Sequence, residues 1–191
     1  METLEKLDRQ LFFFLNGNHN DFFDHVFWYT SLVVTWIPLY LFFIFLIIKK
    51  YKSKCWVPFL GAALLIGLSD KSSVLIKNSV ERYRPSHNLE IKEKVLLLKN
   101  DSGGQFGFVS SHAANVFGIA VYLILLLKFR KKYFNFLLLF WALFVSYSRI
   151  YGGLHYPSDI FGGAILGSLL AFMVFKLQQF ILKKYFHFQI T

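Results

Sequence analysis

The sequence predicts an all-α integral membrane protein: a bundle of about five transmembrane helices, preceded by an amphipathic helix at the membrane surface. Of the 191 residues, 55% are hydrophobic, and the mean hydropathy is +0.47. The apolar residues form long runs, and lysines follow the ends of several of these runs. A water-soluble domain of this length is less apolar and does not concentrate its apolar residues in this way.

The first segment, Leu4–Leu15, mixes regularly spaced leucines with charged residues. This pattern predicts an amphipathic helix that lies in the plane of the membrane interface. Its apolar run, Leu11–Leu15, is too short for the hydrophobic core of a typical cleavable signal peptide. We therefore expect no such signal peptide here.

Five later runs are apolar enough to predict membrane spans, since a spanning helix requires about 20 mostly apolar residues. They are Val26–Ile48, Trp56–Ile76, Ala113–Leu127, Phe134–Ile150 and Ile160–Phe175. The third run is short but can extend through the polar residues before it. The fifth has a face of small residues suited to close helix packing, formed by Gly162, Gly163, Gly167 and Ser168.

Lysine-rich clusters at residues 49–54, 128–132 and 176–184 predict the orientation of the bundle. With five spans, all three clusters lie on one side, which the positive-inside rule makes cytoplasmic. We expect a multi-pass protein of the inner (cytoplasmic) membrane whose polar loops face the periplasm or the exterior. The longer outer loop departs from the simple charge rule because it contains Lys92, Lys94 and Lys99.

The formal net charge of +10 is explained by residues that flank apolar runs. Such residues set topology and contact lipid headgroups, and no nucleic-acid-reading motif accompanies them. We expect membrane lipids as partners, with no nucleic acid and no obligate protein partner. Cys55 is the single cysteine, which excludes an intrachain disulfide and a CxxC metal site.

The first of three outward-facing polar segments contains Lys77, Arg84 and Pro85. Seven residues of helix turn through about 700°, so Lys77 and Arg84 are expected on nearly the same face, with Pro85 ending the helix. Two cations at the bilayer surface suit a phosphate, although such residues also extend to headgroups. Asp70 is expected to support Lys77 from the same helix face. Asp70 and Lys71, both within the second span, are also the one feature that favours a non-enzymatic carrier.

The second segment contains Ser110, Ser111 and His112, directly before the third span. Consecutive serines before an apolar run predict a helix N-terminus, where free N–H groups and the helix dipole attract anions. At that point His112 could donate a proton to a leaving oxygen. An ordinary helix cap with an interfacial histidine is the alternative.

The third segment joins the fourth and fifth spans and contains Arg149, Gly153, His155 and Asp159. A carboxylate four residues after a histidine can fix the imidazole tautomer and leave the other nitrogen free to attack. Arg149 offers a planar fork for phosphate oxygens, and the glycine allows the chain to turn close to an anion. A zinc site at the two histidines and Asp159 would leave the neighbouring cations unexplained, so we expect no metal.

Together the three segments resemble the motifs of the type 2 phosphatidic acid phosphatase superfamily, across about residues 56–175. The first motif, Lys-x6-Arg-Pro, is matched by Lys77, Arg84 and Pro85. The second, Pro-Ser-Gly-His, is matched in part by Val109, Ser110, Ser111 and His112. The third, Ser-Arg-x3-Gly-x-His-x3-Asp, is complete in Ser148, Arg149, Gly153, His155 and Asp159.

The composition favours one domain over residues 1–191, with the motif-bearing core at about residues 56–175. The resemblance implies that this domain is a phosphatase that works without metal or cofactor. His155 would be the nucleophile that forms a phosphohistidine, Asp159 would orient it, and His112 would protonate the leaving group. The residues that would hold the phosphoryl oxygens are Lys77, Arg84, Ser110, Ser111 and Arg149. Gly153 of the third motif would support these groups without touching the phosphate, and the spacing of Asp70 from Lys77 gives Asp70 the same supporting role.

The family departures are Val109 for proline and Ser111 for glycine, and neither removes the acid or the nucleophile. The expected substrate is a phospholipid or polyprenyl phosphate: undecaprenyl diphosphate, a lipid A phosphate, phosphatidylglycerol phosphate or phosphatidic acid. A phosphotransferase that moves the phosphoryl group between lipids would use the same residues, so the sequence leaves both reactions open.

Overall fold

The computed structural model describes residues 2–186, which form seven α-helices joined by short 3-10 turns and loops. The helices are α1 (Glu2–Asn16), α2 (Asp21–Ser31), α3 (Ile37–Tyr51), α4 (Trp56–Val80), α5 (Ser111–Leu127), α6 (Lys132–Tyr151) and α7 (Pro157–Phe186). Four helical stretches are long and apolar enough to cross a membrane: Val33–Lys54, Trp56–Val80, Lys132–Tyr151 and Pro157–Lys184. With the shorter α5, they give the predicted all-α membrane bundle.

The prediction of one continuous first span over Val26–Ile48 is wrong. The chain leaves the helix at Leu32 (φ −85°, ψ 131°), passes through the 3-10 turn Val33–Trp36 and starts again in α3. Pro38 lies in the first turn of α3. It has no N–H to donate to the preceding turn, so it cannot continue the helix of α2, but proline is well suited to the start of a helix. The Trp36 indole Nε1 donates to the carbonyl of Thr30 at 2.9 Å and so satisfies the end of α2.

Helix α5 is the centre of the bundle and packs against α7, α6 and α4. The contact with α7 is close because two of the predicted small residues lie there. A Cβ on Gly163 would lie 2.5 Å from the Ser110 carbonyl oxygen, and one on Gly167 would lie 2.0 Å from the Ala114 carbonyl oxygen. The absence of side chains at these glycines therefore sets the distance between α5 and α7.

The ends of α3 and α5 meet at one end of the bundle. The Lys50 ammonium donates to the carbonyl oxygens of Leu126 and Leu127, at 3.0 and 3.1 Å. These carbonyls terminate α5, where the helix dipole favours a cation. The first two lysine clusters therefore share one end of the bundle, as the topology prediction requires.

Helix α1 lies against the bundle with one face and exposes an apolar stripe with the other. Phe12 is completely buried, and the Asn16 side-chain amide donates to the carbonyls of Leu96 and Tyr151 at 2.9 and 2.7 Å. The exposed stripe consists of Leu4, Leu7, Leu11 and Phe14, with exposures of 74, 55, 47 and 72%. Such a stripe matches the interfacial helix that the sequence predicts.

The segment between α4 and α5 closes over the end of the bundle opposite Lys50. Helix α4 ends at Val80, with Glu81 in the left-handed region (φ 51°). Residues 82–84 then pair with residues 105–107: the Arg84 N–H donates to the Gln105 carbonyl at 3.0 Å, and the Gly107 N–H donates to the Arg82 carbonyl at 2.8 Å. This short antiparallel pairing fixes the ends of the outer loop beside the N-termini of α5 and α7.

We predict that Gly167→Ala lowers the free energy of unfolding by about 1–3 kcal/mol, because the added methyl group overpacks the α5–α7 contact. The matched control is Gly67→Ala in α4, where a Cβ meets no atom within 4 Å. That control should leave stability unchanged or raise it by up to about 1 kcal/mol, since alanine favours helix. Titration of the purified variants with SDS, followed by tryptophan fluorescence, compares the two; equal stabilities would contradict the packing argument.

Candidate active site

The candidate residues from all three sequence motifs come together at the outer-loop end of the bundle. His112 interacts electrostatically with Arg149 of α6, His155 before α7, Arg84 of the outer loop and Lys77 of α4. Asp159 interacts in turn with Lys77 and Arg84. The sequence placed these residues near one membrane surface, and the packing of α4 to α7 brings them into one group.

His155 and Asp159 form a buried pair at the start of α7. The His155 Nδ1 lies 3.2 Å from Asp159 Oδ2, and the two side chains are 3% and 0% exposed. His155 itself precedes the helix, which begins at Pro157, so the contact spans the turn into the helix. Asp159 Oδ2 also accepts from the Tyr156 N–H at 3.0 Å. With Nδ1–H donating to the carboxylate, the lone pair of Nε2 is free.

Burial lowers the pKa of His155 to about 4, against the opposing effect of its hydrogen bond to Asp159. The positive charges of Arg84 and Arg149 lower the pKa further. The imidazole is therefore neutral at neutral pH, which is the form that can act as a nucleophile.

His112 lies in the first turn of α5, whose N-cap is Ser110. The Ser110 hydroxyl is fully buried and accepts from the Ala113 N–H at 3.3 Å, so its own proton remains for another acceptor. The Ser110 N–H donates to the Asp159 carbonyl at 3.0 Å, which ties the start of α5 to the start of α7. The helix N-terminus thus points an anion-attracting end at the site.

Lys77 and Ser111 meet across α4 and α5. The Lys77 ammonium donates to the Ser111 hydroxyl at 2.5 Å, and the Ser111 and Ser73 hydroxyls are 2.7 Å apart. The serine that replaces the family glycine therefore holds the lysine in place. Asp70 was expected to support Lys77, but its carboxylate accepts from Asn115 of α5 at 2.8 Å. Any effect of Asp70 on Lys77 thus acts through space.

Arg84 reaches the site by a route that the sequence did not predict. The expectation that Lys77 and Arg84 share one helix face, with Pro85 ending the helix, is wrong because α4 ends at Val80 and Arg84 is extended (φ −64°, ψ 158°). The paired backbone of the outer loop holds it, and its Nε donates to the Phe106 carbonyl at 3.1 Å. A Cβ on Gly103 would lie 2.5 Å from Arg84 Nη1, so the loop follows the guanidinium closely.

Arg149, at the end of α6, is partly buried, and its Nε is a buried donor. Among the residues that the structure describes, its Nε has no hydrogen-bond acceptor. Its electrostatic partners include Arg84, a like charge. Two partly buried guanidinium groups that repel each other are costly without an anion nearby, and a phosphate accepts several charge-assisted hydrogen bonds.

Two glycines are required where the chain passes close to these groups. Gly153 has φ +77°, and a Cβ there would lie 2.7 Å from the Leu96 carbonyl oxygen. Gly153 therefore lets the turn before His155 pack closely against the outer loop. A Cβ on Gly107 would lie 2.7 Å from Asp159 Oδ2. Gly107 was not selected from the sequence.

The sequence analysis also missed Arg82 and Asp8. The Arg82 Nη1 donates to Asp159 Oδ1 at 2.8 Å, and its Nη2 donates to Asp8 Oδ2 at 2.6 Å. Arg82 lies two residues before Arg84, a spacing that places both side chains on the same face of an extended strand but on different faces of a helix. For Asp8, 150 residues before Ser158, no local pattern could have indicated the contact.

The donor set of the site is cationic rather than metal-binding. Across residues 2–186, no three His, Cys, Asp or Glu side chains are grouped so that they could hold a metal ion. Lys77, Arg84, Arg149 and the N-terminus of α5 instead supply positive charge to the same space. Fixed cations of this kind stabilise the charge that develops on a phosphoryl group during transfer.

A neutral histidine held by a carboxylate and set among cations is the arrangement of a phosphatase, here within a membrane bundle. Comparison with known families specifies this class further. The PAP2 superfamily matches residues 55–183, and the chain belongs to this superfamily, as its motifs indicated. It is a membrane lipid phosphatase, a phosphoric monoester hydrolase.

Two similar proteins and one similar structure agree with this. The chain is 38% identical over 172 residues to a lipid A 4'-phosphatase of Bacteroides thetaiotaomicron, covering 87% of this chain and 75% of that protein. It is 32% identical over 178 residues to a lipid A 4'-phosphatase of Porphyromonas gingivalis, covering 92% and 75%. The crystal structure of LpxE from Aquifex aeolicus superposes with a TM-score of 0.71 at 25% identity, over 89% of this chain and 95% of that one.

We predict that His155 titrates with a midpoint near pH 4, because burial and the nearby arginines disfavour the imidazolium. Activity should be lost as the pH falls through this value, since protonation removes the attacking lone pair. Above this pH, the titration of His155 should have no further effect on activity. NMR titration of the histidine ring signals, with His155 identified by its loss in His155→Gln, measures the midpoint. A midpoint near the ordinary value of about 6.5 would contradict the prediction.

Proposed function

We propose that the protein hydrolyses a phosphomonoester of lipid A through a phosphohistidine at His155. The observation that carries the proposal is the buried His155–Asp159 pair facing Arg149, Arg84 and His112. The resemblance to two lipid A 4'-phosphatases supports this substrate over the other lipid phosphates.

In the proposed first step, the Nε2 lone pair of His155 attacks phosphorus and the bond from phosphorus to the leaving oxygen breaks. His112, in its imidazolium form, donates a proton to that oxygen, so the sugar hydroxyl leaves neutral. The negative charge of the bound phosphate favours this form, against the burial and the neighbouring cations that lower the pKa of His112. Asp159 balances the positive charge that forms on the His155 ring. Lys77, Arg84 and Arg149 hold the three phosphoryl oxygens, whose charge is spread in the transition state.

In the second step, His112 is the base. It takes a proton from a water molecule, whose oxygen attacks phosphorus from the side that the leaving group has vacated. The P–N bond breaks, and its electron pair returns to Nε2 of His155. Inorganic phosphate leaves, and both histidines regain their starting protonation states.

A cavity of about 320 Å³ next to His112 supports a substrate with a large apolar part. It lies between α5 and the break from α2 to α3, and its lining includes Asn115, Trp36, Tyr40, Ile66 and Val145. The leaving group must lie on the side of the acid, so the cavity is where the remainder of the substrate begins. An apolar lining there favours a lipid over a water-soluble phosphate.

The lysine distribution supports an active site on the outer side of the inner membrane. The lysine cluster after α3 and the end of α5 lie at the end of the bundle opposite the site. Under the positive-inside rule that end is cytoplasmic. The site then faces the periplasm, and substrate enters from the outer leaflet.

We expect His155→Ala to lower phosphate release by about 10⁴-fold or more, since loss of the nucleophile removes the covalent route. His25→Ala is the matched control, because this exposed histidine of α2 bonds only locally, to the Asp21 carbonyl. An acid-labile phosphate on histidine should be trapped in the parent protein with radiolabelled substrate and be absent from His155→Ala. Full turnover in His155→Ala would refute the phosphohistidine mechanism.

We expect purified protein to release inorganic phosphate from lipid A faster than from phosphatidic acid, phosphatidylglycerol phosphate or undecaprenyl diphosphate. The assay uses each lipid alone in detergent micelles, so release without a second lipid also excludes obligatory phosphotransfer. EDTA should have no effect, and vanadate, which resembles the transferring phosphoryl group, should inhibit strongly. Loss of activity in EDTA would favour a metal site instead.

A further inference from the structure

We infer that Arg82 is a positioning residue that fixes the Asp159 carboxylate against His155, and that Asp8 of the N-terminal helix α1 holds Arg82 in place. This inference rests on the proposed function, because it concerns the orientation of the proposed nucleophile. It adds α1, a helix outside the matched family region of residues 55–183, to the support of the active site.

The two oxygens of Asp159 have separate partners. Oδ2 faces His155 Nδ1 at 3.2 Å and accepts from the Tyr156 N–H at 3.0 Å. Oδ1 accepts from Arg82 Nη1 at 2.8 Å. A carboxylate can rotate about its bond to Cβ, so a donor fixed at one oxygen sets the direction of the other. Arg82 thereby determines which oxygen His155 meets and at what angle.

Arg82 is itself held from three sides. Its Nη2 donates to Asp8 Oδ2 at 2.6 Å, and its Nη1 also lies 2.6 Å from the Ser158 hydroxyl. The guanidinium carbon lies 4.1 Å from the centre of the Tyr156 ring, a cation–π distance. Because the side chain is only 23% exposed, these contacts leave it little freedom to move.

Asp8 joins the same network to the first turn of α7. Its Oδ1 accepts from the Ser158 N–H at 2.9 Å, and its Oδ2 accepts from the Ser158 hydroxyl at 2.5 Å. An acidic group at a helix N-terminus is favoured by the free N–H groups and the dipole. Asp8 therefore caps α7 from a different helix while it orients Arg82.

Asp8 lies on the face of α1 that packs against the bundle, so its contact with Arg82 forms together with the packing of that helix. Asp8, Phe12 and Asn16 are four residues apart and form the face that packs on the bundle. The opposite stripe of exposed apolar residues suits the membrane interface. The helix that anchors at the membrane surface thus also delivers a carboxylate to the network behind Asp159.

The charge of Arg82 should affect the protonation of His155, in addition to the effect of its hydrogen bonds on the position of Asp159. The groups that face His155 are Asp159 from α7, Arg149 from α6, His112 from α5 and Arg84 from the outer loop. Arg82 offsets the negative charge of Asp159 on the side away from His155. Without that cation the negative charge of Asp159 should act more strongly on His155, so the imidazole should take up a proton at a higher pH.

The test compares Arg82→Met, Arg82→Lys, Asp8→Asn and the double variant of Asp8→Asn with Arg82→Met. Arg82→Met should lower kcat for lipid A by about 100-fold with little change in KM, since a misdirected nucleophile slows chemistry rather than binding. The midpoint for protonation of His155, read from its ring signals, should rise by about one pH unit or more.

The other variants separate position from charge. Arg82→Lys keeps the cation, so the midpoint should stay near the parent value while kcat recovers in part. Asp8→Asn keeps an acceptor for α7 but loses its charge contact with Arg82, and kcat should fall by about tenfold. The double variant should equal Arg82→Met, because Asp8 acts through Arg82.

Arg9→Met is the control, since Arg9 is the neighbouring cation of α1 and pairs with Glu5 and Glu90, away from Asp159. It should leave both kcat and the midpoint unchanged. Parent-like kcat and midpoint in Arg82→Met would overturn the inference. Lower activity of Arg82→Met with an unchanged midpoint would also overturn the inference, because Arg82 would then serve stability alone. An SDS titration measures that stability directly. If the parent protein releases no phosphate from any lipid, the proposed function fails, whereas the midpoint still tests Arg82.

Discussion

One buried carboxylate, that of Asp159, organises the rest of the active-site end of the bundle. It has no solvent exposure, so every lone pair that it leaves without a donor costs free energy. Its donors come from the turn before α7 and from the segment after α4, while its backbone carbonyl accepts from Ser110 at the start of α5. Elements distant in the sequence are therefore held at fixed positions around one side chain.

The second constraint is the gathering of like charges opposite that carboxylate. Arg84 and Arg149 influence each other electrostatically, and the Arg149 Nε is buried without an acceptor in the described part of the chain. Folding alone does not favour such a cluster, because each cation loses hydration and gains a repelling neighbour. An oxyanion with several acceptor oxygens removes both costs, which is why the site is matched to a phosphoryl group. The close α5–α7 contact at Gly163 and Gly167 keeps the donors near enough to act together.

The sequence was accurate wherever the chemistry is local. Hydropathy predicted the membrane bundle, and the residue spacing around His155 and Asp159 predicted a contact that the turn into α7 provides at 3.2 Å. The predictions from the sequence were wrong where they treated two segments as continuous helices. The first span breaks at Leu32, and α4 ends before Arg84, because Pro38 starts a new helix and the outer loop pairs residues 82–84 with 105–107. A hydropathy run reports how apolar a segment is, and it is insensitive to such breaks.

The sequence by itself determined the class of the protein, the membrane setting and the motif residues, since these depend on residue type and short spacing. Only the tertiary structure decided how the phosphate-binding side chains reach one space, and which residues stand behind them. Asp8 and Arg82 are the clearest case, because a hydrogen-bond network between α1, the segment after α4 and α7 depends on positions 74 and 77 residues apart along the chain. Contacts over such separations are set by packing, and no periodicity in a single chain encodes them.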